Sequence, residues 1–324
     1  MLGRRRRGRR SGAVDTSLAV DTTVRIGGVE LANPVMLAAG TAGYGAELAE
    51  FVDLASLGAV VTKSLTAYEW PGNPAPRLSP AGVGMLNAVG LQGPGVEHWR
   101  THELPELIDT GAKVVASIWG RGIDDYRRAA EQLAGVPDAV VAVEVNLSCP
   151  NLEGRRGIFA HDPELSAEVL RVTDICGLPR WAKLSPNTDR IVEVATAVRD
   201  AGADALVLVN TVLGMVIDPG TMRPALSAGG GGLSGPGIHP VAVRAVHDVR
   251  AALADVPIVG VGGVACGWDA IELMAVGAQA VQVGTATFAD PRAAVRVLEE
   301  MVSWARAHEH GALGALTGVV HRSA

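Results

Sequence analysis

Short runs of β-forming residues alternate with helical patterns along most of this 324-residue chain. Eight such runs begin near residues 34, 59, 113, 140, 180, 205, 257 and 280. Apolar residues at helical spacing follow most of them, in the segments GAELAEFVDLASLG, ELSAEVLRVTDICG, DRIVEVATAVRDAG, HPVAVRAVHDVRAAL and WDAIELMAVGA. Repeated β-then-α units predict a parallel sheet, and eight units predict its closure into a barrel. We therefore expect an α/β fold, a single (β/α)8 TIM barrel, with an open doubly wound sheet as the alternative.

The segments outside this repeat have signatures of their own. VRIGGVELANP predicts an N-terminal β-hairpin with Gly27 and Gly28 at its turn. The Gly/Pro-rich stretches at 66–98 and 212–237 are too long for ordinary connections, which is typical of functional loops. MLGRRRRGRRSGAVD is a charge run without the hydrophobic stretch of a secretory signal. We expect residues 1–20 to be a disordered Arg-rich tail and residues 21–324 to form the barrel domain.

Composition excludes several classes of protein. Hydrophobic residues make up 48% of the chain and charged residues 19%, which excludes disorder for most of its length. The net charge of −6 argues against a protein that coats nucleic acid. No apolar run reaches about 18 residues, so we expect no membrane span. The three cysteines are far apart and have no metal-ligand spacing, which favours a reducing, cytoplasmic setting and no metal site.

Lysine is rare and its positions are informative. Only three of the 28 basic residues are lysines, and two of these, Lys63 and Lys183, end the second and fifth predicted strands. In a barrel of this kind the active site lies at the carboxyl ends of the strands. Lys113 begins the third strand, at the opposite end, and is interpreted as a stability or solvent residue. Lys63 and Lys183 therefore predict contacts with anionic groups of a ligand.

Asparagines also follow predicted strands. Asn146 and Asn151 come after the fourth strand and Asn210 after the sixth, while Asn87 lies in the first long loop. A single asparagine at such a position is usually a turn or capping residue. Several converging carboxamides, which both donate and accept hydrogen bonds, suit a flat ligand edged with NH and C=O groups, such as a pyrimidine or a flavin.

The last two strands end in glycine-containing pairs, and the fourth strand ends in a cysteine. Gly262-Gly263 and Gly284-Thr285 stand where barrels of this kind bind phosphate through backbone N–H groups, which predicts a phosphorylated cofactor. Cys149 lies in NLSCPN and is interpreted as a proton-transfer group, although a lone cysteine is often a buried small hydrophobe. Cys176 and Cys266 are interpreted as packing residues.

These segments resemble the class 1 dihydroorotate dehydrogenases, FMN-containing barrels of pyrimidine biosynthesis. The resemblance runs from Val24 to about Pro291. The segments that carry it are NPVMLAAGTAGYG, TKSLTAYEWPGNPAPR, GMLNAVGLQGPG, VNLSCPN, AKLSPN, VNTVLGM, GGLSGPGIHP, VGVGGV and VQVGTATFADP. Cysteine in NLSCPN is the class 1 pattern, and GNPAPR…GMLNAVGLQ is closer to the NAD-linked 1B subgroup than to the fumarate-linked 1A enzymes.

The resemblance implies oxidation of (S)-dihydroorotate to orotate in UMP synthesis, with a role for individual residues. Cys149 would be the base at C5 of dihydroorotate, and a hydride would pass from C6 to FMN. The implied substrate-binding residues are Lys63, Asn87, Ala88, Val89, Gly90, Leu91, Asn146, Asn151, Asn210 and Thr211. The implied FMN-binding residues are Ala39, Gly40, Lys63, Ser64, Ser117, Asn146, Lys183, Val209, Gly235, Gly262, Gly263, Gly284 and Thr285. Ala39 and Ser117 depart from the Ser and Asn that the pattern usually has, so each removes or shortens a flavin contact.

The resemblance to the 1B subgroup also implies partners. A homodimer of catalytic chains would join electron-transfer subunits that carry FAD and a [2Fe–2S] cluster, giving a heterotetramer that passes electrons to NAD. The alternatives are a fumarate-linked oxidase and another FMN barrel of the dihydropyrimidine dehydrogenase or dihydrouridine synthase type. A non-flavin, phosphate-binding isomerase and a nucleic-acid module acting through the Arg-rich tail are further alternatives, although we expect neither a nucleic-acid nor a membrane partner.

Overall fold

Eight parallel strands close into a barrel in the computed structural model of the chain, which describes residues 19–148 and 158–322. The strands are β1 (Val24–Ile26), β2 (Val29–Leu31), β3 (Val35–Leu37), β4 (Ala59–Val61), β5 (Leu78–Ala81), β6 (Gly84–Asn87), β7 (Val114–Ile118), β8 (Val140–Asn146), β9 (Arg180–Lys183), β10 (Ala205–Leu208), β11 (Val212–Gly214), β12 (Ile217–Asp218), β13 (Arg223–Pro224), β14 (Gly231–Ser234), β15 (Ile258–Val261) and β16 (Ala280–Val283). The helices are α1 (Val96–Thr101), α2 (Glu103–Asp109), α3 (Ile123–Leu133), α4 (Pro163–Thr173), α5 (Ile191–Asp200), α6 (His239–Ala252), α7 (Gly267–Ala275) and α8 (Ala293–Ala307).

The barrel order confirms the eight predicted units. The strands run β3-β4-β7-β8-β9-β10-β15-β16, and β16 pairs with β3 to close the ring, with Val281 opposite Val35. Every pair in the ring is parallel, so all eight carboxyl ends lie at one end of the barrel. The open doubly wound sheet is thereby excluded.

The predicted hairpin covers the opposite end of the barrel. β1 and β2 pair antiparallel, and the apolar residues Val24, Ile26, Val29 and Leu31 join the core cluster inside the barrel. The Lys113 ammonium donates to the Glu30 carbonyl of this hairpin. Lys113 therefore lies at the end away from the carboxyl ends of the strands, as predicted, and it ties the hairpin to the start of β7.

The two long loops meet in a sheet of their own. β5 and β6 come from the 66–98 loop, and β11 and β14 come from the 212–237 loop. They form a four-stranded sheet in the order β11-β14-β6-β5, in which Asn87 lies opposite Gly232. This loop sheet joins two long loops that are far apart in the sequence.

The barrel interior changes from apolar to polar along its axis. Because side chains alternate along a strand, residues two positions apart share a face. Buried apolar residues on the inner face lie at Val115, Ala142, Trp181 and Ala280. Two residues further on come the buried polar residues Ser117, Glu144, Lys183 and Gln282. The polar layer lies toward the carboxyl ends, where the predicted site residues are.

Four of the five quoted helical patterns are confirmed, and one is wrong. The segment 45–58 forms turns and a short 3₁₀ helix at Leu54–Ser56 rather than an α-helix. The Glu47 carboxylate accepts hydrogen bonds from the N–H groups of Tyr44 and Gly45, and Asp53 accepts from the Ala55 N–H. Such local side-chain bonds compete with helical pairing, while Val52, Leu54 and Leu57 are still buried.

Helix α4 has a side-chain cap whose energetic contribution can be measured. The Asp162 carboxylate accepts from the N–H groups of Glu164 and Leu165, at 3.0 and 3.1 Å. We expect Asp162→Ala to lower the free energy of unfolding by about 1 kcal/mol, the usual cost of losing an N-cap. Urea denaturation measures this, with Glu168→Ala as the control because Glu168 is exposed in the middle of the same helix. Equal stability of the two variants would contradict the assignment of the cap.

Candidate active site

A cavity of about 1160 Å³ opens at the carboxyl ends of the barrel strands, beneath the loop sheet. It is large enough for a drug-sized ligand together with a second small molecule. The sequence-predicted residues that line it are Ala39, Gly40, Lys63, Ser64, Asn87, Ala88, Val89, Gly90, Leu91, Asn146, Lys183, Val209, Asn210, Thr211, Gly235, Gly262, Gly263, Gly284 and Thr285. The cavity therefore brings together residues from the ends of seven barrel strands and from both long loops.

Cys149 and Asn151 lie outside the described residues, so their roles stay predictions. The other two cysteines lie in the described part of the chain. Cys176 is buried at the end of a 3₁₀ turn, and burial raises the pKa of its thiol, as suits a packing residue. Cys266 precedes helix α7 and its N–H donates to Asp269 at 3.0 Å.

Asparagines at the carboxyl ends of two different strands bond to each other. The Asn210 amide donates to Asn146 Oδ1 at 3.1 Å, and the Asn146 amide donates to Ser64 Oγ at 3.3 Å. Tyr126 donates its hydroxyl proton to the Asn146 carbonyl at 2.7 Å. These bonds fix the side chains that the sequence placed at the ends of the fourth and sixth strands. Three of the four predicted asparagines, those at 87, 146 and 210, line the same cavity.

A further asparagine that the sequence analysis did not select also lines the cavity. Asn187 donates to Ser185 Oγ at 3.0 Å and to the Thr211 carbonyl at 2.9 Å. Its Oδ1 accepts from the Leu213 N–H at 2.8 Å, so Asn187 fixes the chain that follows Asn210. Its place in AKLSPN, directly after a predicted strand, is the signal that could have identified it.

Lys183, which lines the cavity, forms a buried ion pair with Glu144, which lies behind the cavity wall. Lys183 Nζ is 3.2 Å from Glu144 Oε1, and their side chains are 7% and 0% exposed. Gln282 donates to Glu144 Oε2 at 2.8 Å and accepts from Lys183 at 3.4 Å. Sequence reasoning missed Glu144 and Gln282. A charged residue two positions before Asn146, within an apolar strand, was the available signal.

Ser117 does not line the cavity itself. Its hydroxyl lies 2.9 Å from Ser64 Oγ and donates to Glu144 Oε1 at 3.4 Å, and its N–H donates to Thr62 Oγ1. Ser64 therefore lies at the cavity surface with Ser117 behind it. Any influence of Ser117 on a bound ligand would pass through Ser64 or Glu144.

The loop segment from Asn87 to Leu91 is held by its own loop. Asn73 bonds to the carbonyls of Ala88 and Val89 through its amide and its backbone N–H, at 3.0 Å each. The Trp70 indole donates to the Gly90 carbonyl at 3.0 Å. With these carbonyls engaged, the segment presents a fixed edge to the cavity.

Tyr44 secures the far side of the same loop. Its hydroxyl donates to the Gln92 carbonyl. Burial, and the nearby carboxylates of Glu103 and Glu47, raise the pKa of this hydroxyl well above its ordinary value. The group therefore stays a neutral donor across the physiological pH range.

Three glycine-containing turns meet at the other end of the cavity. A Cβ on Gly263 would lie 2.9 Å from the Gly235 carbonyl oxygen, and one on Gly235 would lie 3.6 Å from Thr285 Cγ2. Both glycines have positive φ, at +72° and +95°, which side-chain-bearing residues rarely adopt. We call Gly235, Gly262, Gly263, Gly284 and Thr285 the glycine cradle. Closely packed backbone of this kind, with a side chain only at Thr285, fits a phosphate group.

Two buried polar atoms at the cavity wall also fit a polar ligand. Trp119 Nε1 and Ser148 Oγ have no hydrogen-bond partner among residues 19–148 and 158–322, and both residues line the cavity. Buried donors of this kind are normally paired, so each points to a ligand acceptor. In the same described ranges, no group of His, Cys, Asp and Glu side chains could hold a metal ion.

Comparisons with known proteins show which family the chain is similar to. The profile of the family described as dihydroorotate dehydrogenase matches residues 21–304. A protein of Geobacter sp. strain M21, named dihydroorotate dehydrogenase B (NAD(+)), catalytic subunit, is 43% identical over 301 residues, which cover 93% of this chain and 98% of that protein.

Proteins of the same name from two other bacteria give similar values. The protein from Desulforudis audaxviator is 44% identical over 94% of this chain and 99% of its own length. The protein from Listeria monocytogenes is 43% identical over 86% of this chain and 91% of its own length. Together with the profile match, these relatives show that the chain belongs to the dihydroorotate dehydrogenase family.

Proposed function

We propose that this protein oxidises (S)-dihydroorotate to orotate, a step of pyrimidine synthesis, with FMN as its bound cofactor. The observation that carries the proposal is a single cavity with a glycine cradle at one end and Lys63, Lys183 and the asparagines at the other. A phosphorylated flavin and a small anionic pyrimidine require these two kinds of surface. The names of the relatives, which specify dihydroorotate dehydrogenase, support the same substrate.

The residues present fit FMN. The glycine cradle would hold the phosphate through backbone N–H groups. Ser64, Asn146, Val209 and Lys183 would line the ring, with Ala39 and Gly40 beside it, and Lys183 would place a positive charge at its N1/O2 edge. When bound, FMN supplies an acceptor for the hydride that leaves C6 of dihydroorotate. Ser117 would act from behind Ser64 and Glu144.

The chain itself would bind the substrate and move one proton. Asn87, Asn146 and Asn210 would hydrogen-bond the pyrimidine edge, with Asn151, Thr211 and the segment from Ala88 to Leu91 completing the clamp. Lys63 would bind the carboxylate of dihydroorotate. Cys149 would remove the C5 proton as a general base, which requires its thiolate.

Electron transfer onward is proposed through a partner. The relatives are named catalytic subunits of an NAD(+)-linked enzyme, which supports a second subunit. We propose that this subunit carries FAD and a [2Fe–2S] cluster and that two catalytic chains form a homodimer within a heterotetramer in the cytoplasm. For the chain itself, no helix in its described part is long and apolar enough to cross a membrane.

Anaerobic mixing with dihydroorotate tests the proposal. We expect the purified protein to carry one FMN per chain and its blue absorption band to bleach on addition of dihydroorotate. Dihydrouracil, which lacks the carboxylate that Lys63 would bind, should bleach the band far more slowly. NAD alone should not restore the band, because its route to the flavin passes through the partner. A colourless protein that cannot take up FMN, or equal rates with the two pyrimidines, would contradict the proposal.

A further inference from the structure

His239 is a buried histidine that the proposed reaction leaves without a role. It is the first residue of helix α6, directly behind the Gly262–Gly263 turn, and its side chain is 10% exposed. Its Nδ1 lies 2.9 Å from the Gly262 carbonyl oxygen, and its Nε2 lies 3.1 Å from Glu272 Oε2. Asp269 Oδ1 lies 4.0 Å from the same Nε2. Both ring nitrogens therefore face oxygen acceptors.

The contact at Nδ1 fixes the direction of one peptide group. A carbonyl oxygen has no proton, so Nδ1 must be the donor to Gly262. In a trans peptide the C=O and the following N–H point in opposite directions. With the Gly262 carbonyl turned toward His239, the Gly263 N–H is turned away from it. Both glycines line the cavity, and no residue of the described ranges accepts a hydrogen bond from the Gly263 N–H.

This peptide needs an external constraint because its residues are permissive. Gly262 has φ +141° and Gly263 has φ +72°, so neither residue restricts the turn to one backbone conformation as a side chain would. Close packing supplies part of the constraint, since a Cβ on Gly263 would lie 2.7 Å from His239 Cβ. The ring contact supplies the rest, because rotation of the peptide would break the bond from Nδ1.

We infer that His239 is a positioning residue for the FMN phosphate: its Nδ1 holds the Gly262 carbonyl so that the Gly263 N–H faces the phosphate. Glu272, in turn, anchors the ring through Nε2. The inference rests on the proposed FMN site and adds to it a residue that would touch neither phosphate nor ring. It requires that His239 affect phosphate binding and leave recognition of the flavin ring unchanged.

Two substitutions separate the two ring contacts. In His239→Asn the new Nδ2 lies close to where the histidine Nδ1 was, so the donor to Gly262 is kept. In His239→Gln the new Nε2 lies close to where the histidine Nε2 was, so the contact with Glu272 is kept and the donor to Gly262 is lost. Both variants remove the imidazole and each keeps one of its two contacts. If the Gly262 contact sets FMN binding, His239→Asn should bind FMN more tightly than His239→Gln, and if the Glu272 contact sets it, the order should be reversed. His247→Asn, in the same helix and with a side chain that is 41% exposed, is the control.

The measurement is the dissociation constant of each flavin-depleted protein for FMN and for riboflavin, followed by flavin fluorescence. We expect His239→Gln to weaken FMN binding about tenfold, the equivalent of one hydrogen bond. His239→Asn and His247→Asn should stay close to the wild-type protein. Riboflavin has no phosphate, so its affinity should be the same for all four proteins.

Equal FMN affinities for His239→Asn and His239→Gln, or an equal loss for riboflavin, would overturn the inference. If His239→Gln does not fold, His239→Leu replaces it, because leucine has the shape of asparagine without the donor. Wild-type protein that binds neither flavin would instead refute the proposed function. Tight FMN binding that is indifferent to residue 239 would refute this inference alone.

Discussion

Replacing Cys149 with alanine is expected to slow reduction of the bound flavin by dihydroorotate about 10²–10⁴-fold. That range is the usual contribution of a positioned general base, and Cys149 is the base that we propose. Because the thiolate is the reactive form and a free thiol has a pKa of about 8.5, the wild-type rate should rise with pH until the thiol is ionised. Rapid-mixing absorbance under anaerobic conditions, repeated across a pH series, measures both effects.

The affinity for orotate shows whether a slow variant has lost only the catalytic base or has lost the binding site as well. Cys149→Ala should still bind orotate, because Lys63 and the asparagines remain. Cys149→Ser should keep a small rate that needs a higher pH, since a hydroxyl is a much weaker acid than a thiol. Cys176→Ala and Cys266→Ala should keep the wild-type pH profile. If flavin reduction in Cys149→Ala were as fast as in the wild-type protein, Cys149 would be a packing residue and the proposed mechanism would be wrong.

The second large effect is expected at Lys183, for stability as well as for chemistry. Lys183→Met removes the cation that lies 3.2 Å from Glu144, whose side chain is fully buried. A buried carboxylate without its cation costs about 3–5 kcal/mol, only part of which the bonds from Gln282 and Ser117 can offset. Urea denaturation in excess FMN should show a loss of that order. In material that remains folded, flavin reduction should be impaired more than substrate binding.

The matched control is the double variant Lys183→Met/Glu144→Gln. It lacks the same ammonium group, so any contact with FMN is lost equally in the single and double variants. Glutamine keeps the shape of glutamate without its charge, and the double variant should therefore recover much of the lost stability. The rate of flavin reduction should stay as low in the double variant as in Lys183→Met, because the ammonium group is still missing. Equal free energies of unfolding for the single and double variants would show that the Glu144 charge contributes little.

The sequence predicts the barrel and most of the cavity wall for one physical reason. In a closed parallel barrel, every strand delivers its carboxyl end to the same place, so residues that follow strands converge without knowledge of their contacts. Lys63, Asn146, Lys183 and Asn210 were identified in this way and line the same cavity. The rule works because it depends on chain direction alone.

The features that the sequence did not predict depend on distant partners or on local competition. Glu144 pairs with Lys183, 39 residues away, and with Gln282, 138 residues away, and no periodicity reports such contacts. The segment 45–58 has the apolar spacing of a helix, but the side chains of Glu47 and Asp53 bond to nearby backbone N–H groups instead. The His239 contacts with Gly262 and Glu272 are likewise invisible until the chain is folded.

The loop sheet has a consequence for synthesis of the chain on the ribosome. Asn87 donates to the Gly232 carbonyl, which lies 145 residues later in the chain. Its strand, β6, pairs with β14 on one side and with β5 on the other. A nascent chain that has not yet exposed residues 231–234 therefore cannot complete the edge that carries Asn87. Barrel closure waits still longer, because β3 must wait for β16. Pairing over such distances makes folding slow. A chain released early would contain most of the site residues at the ends of its strands, but the cavity that they line would not yet have formed.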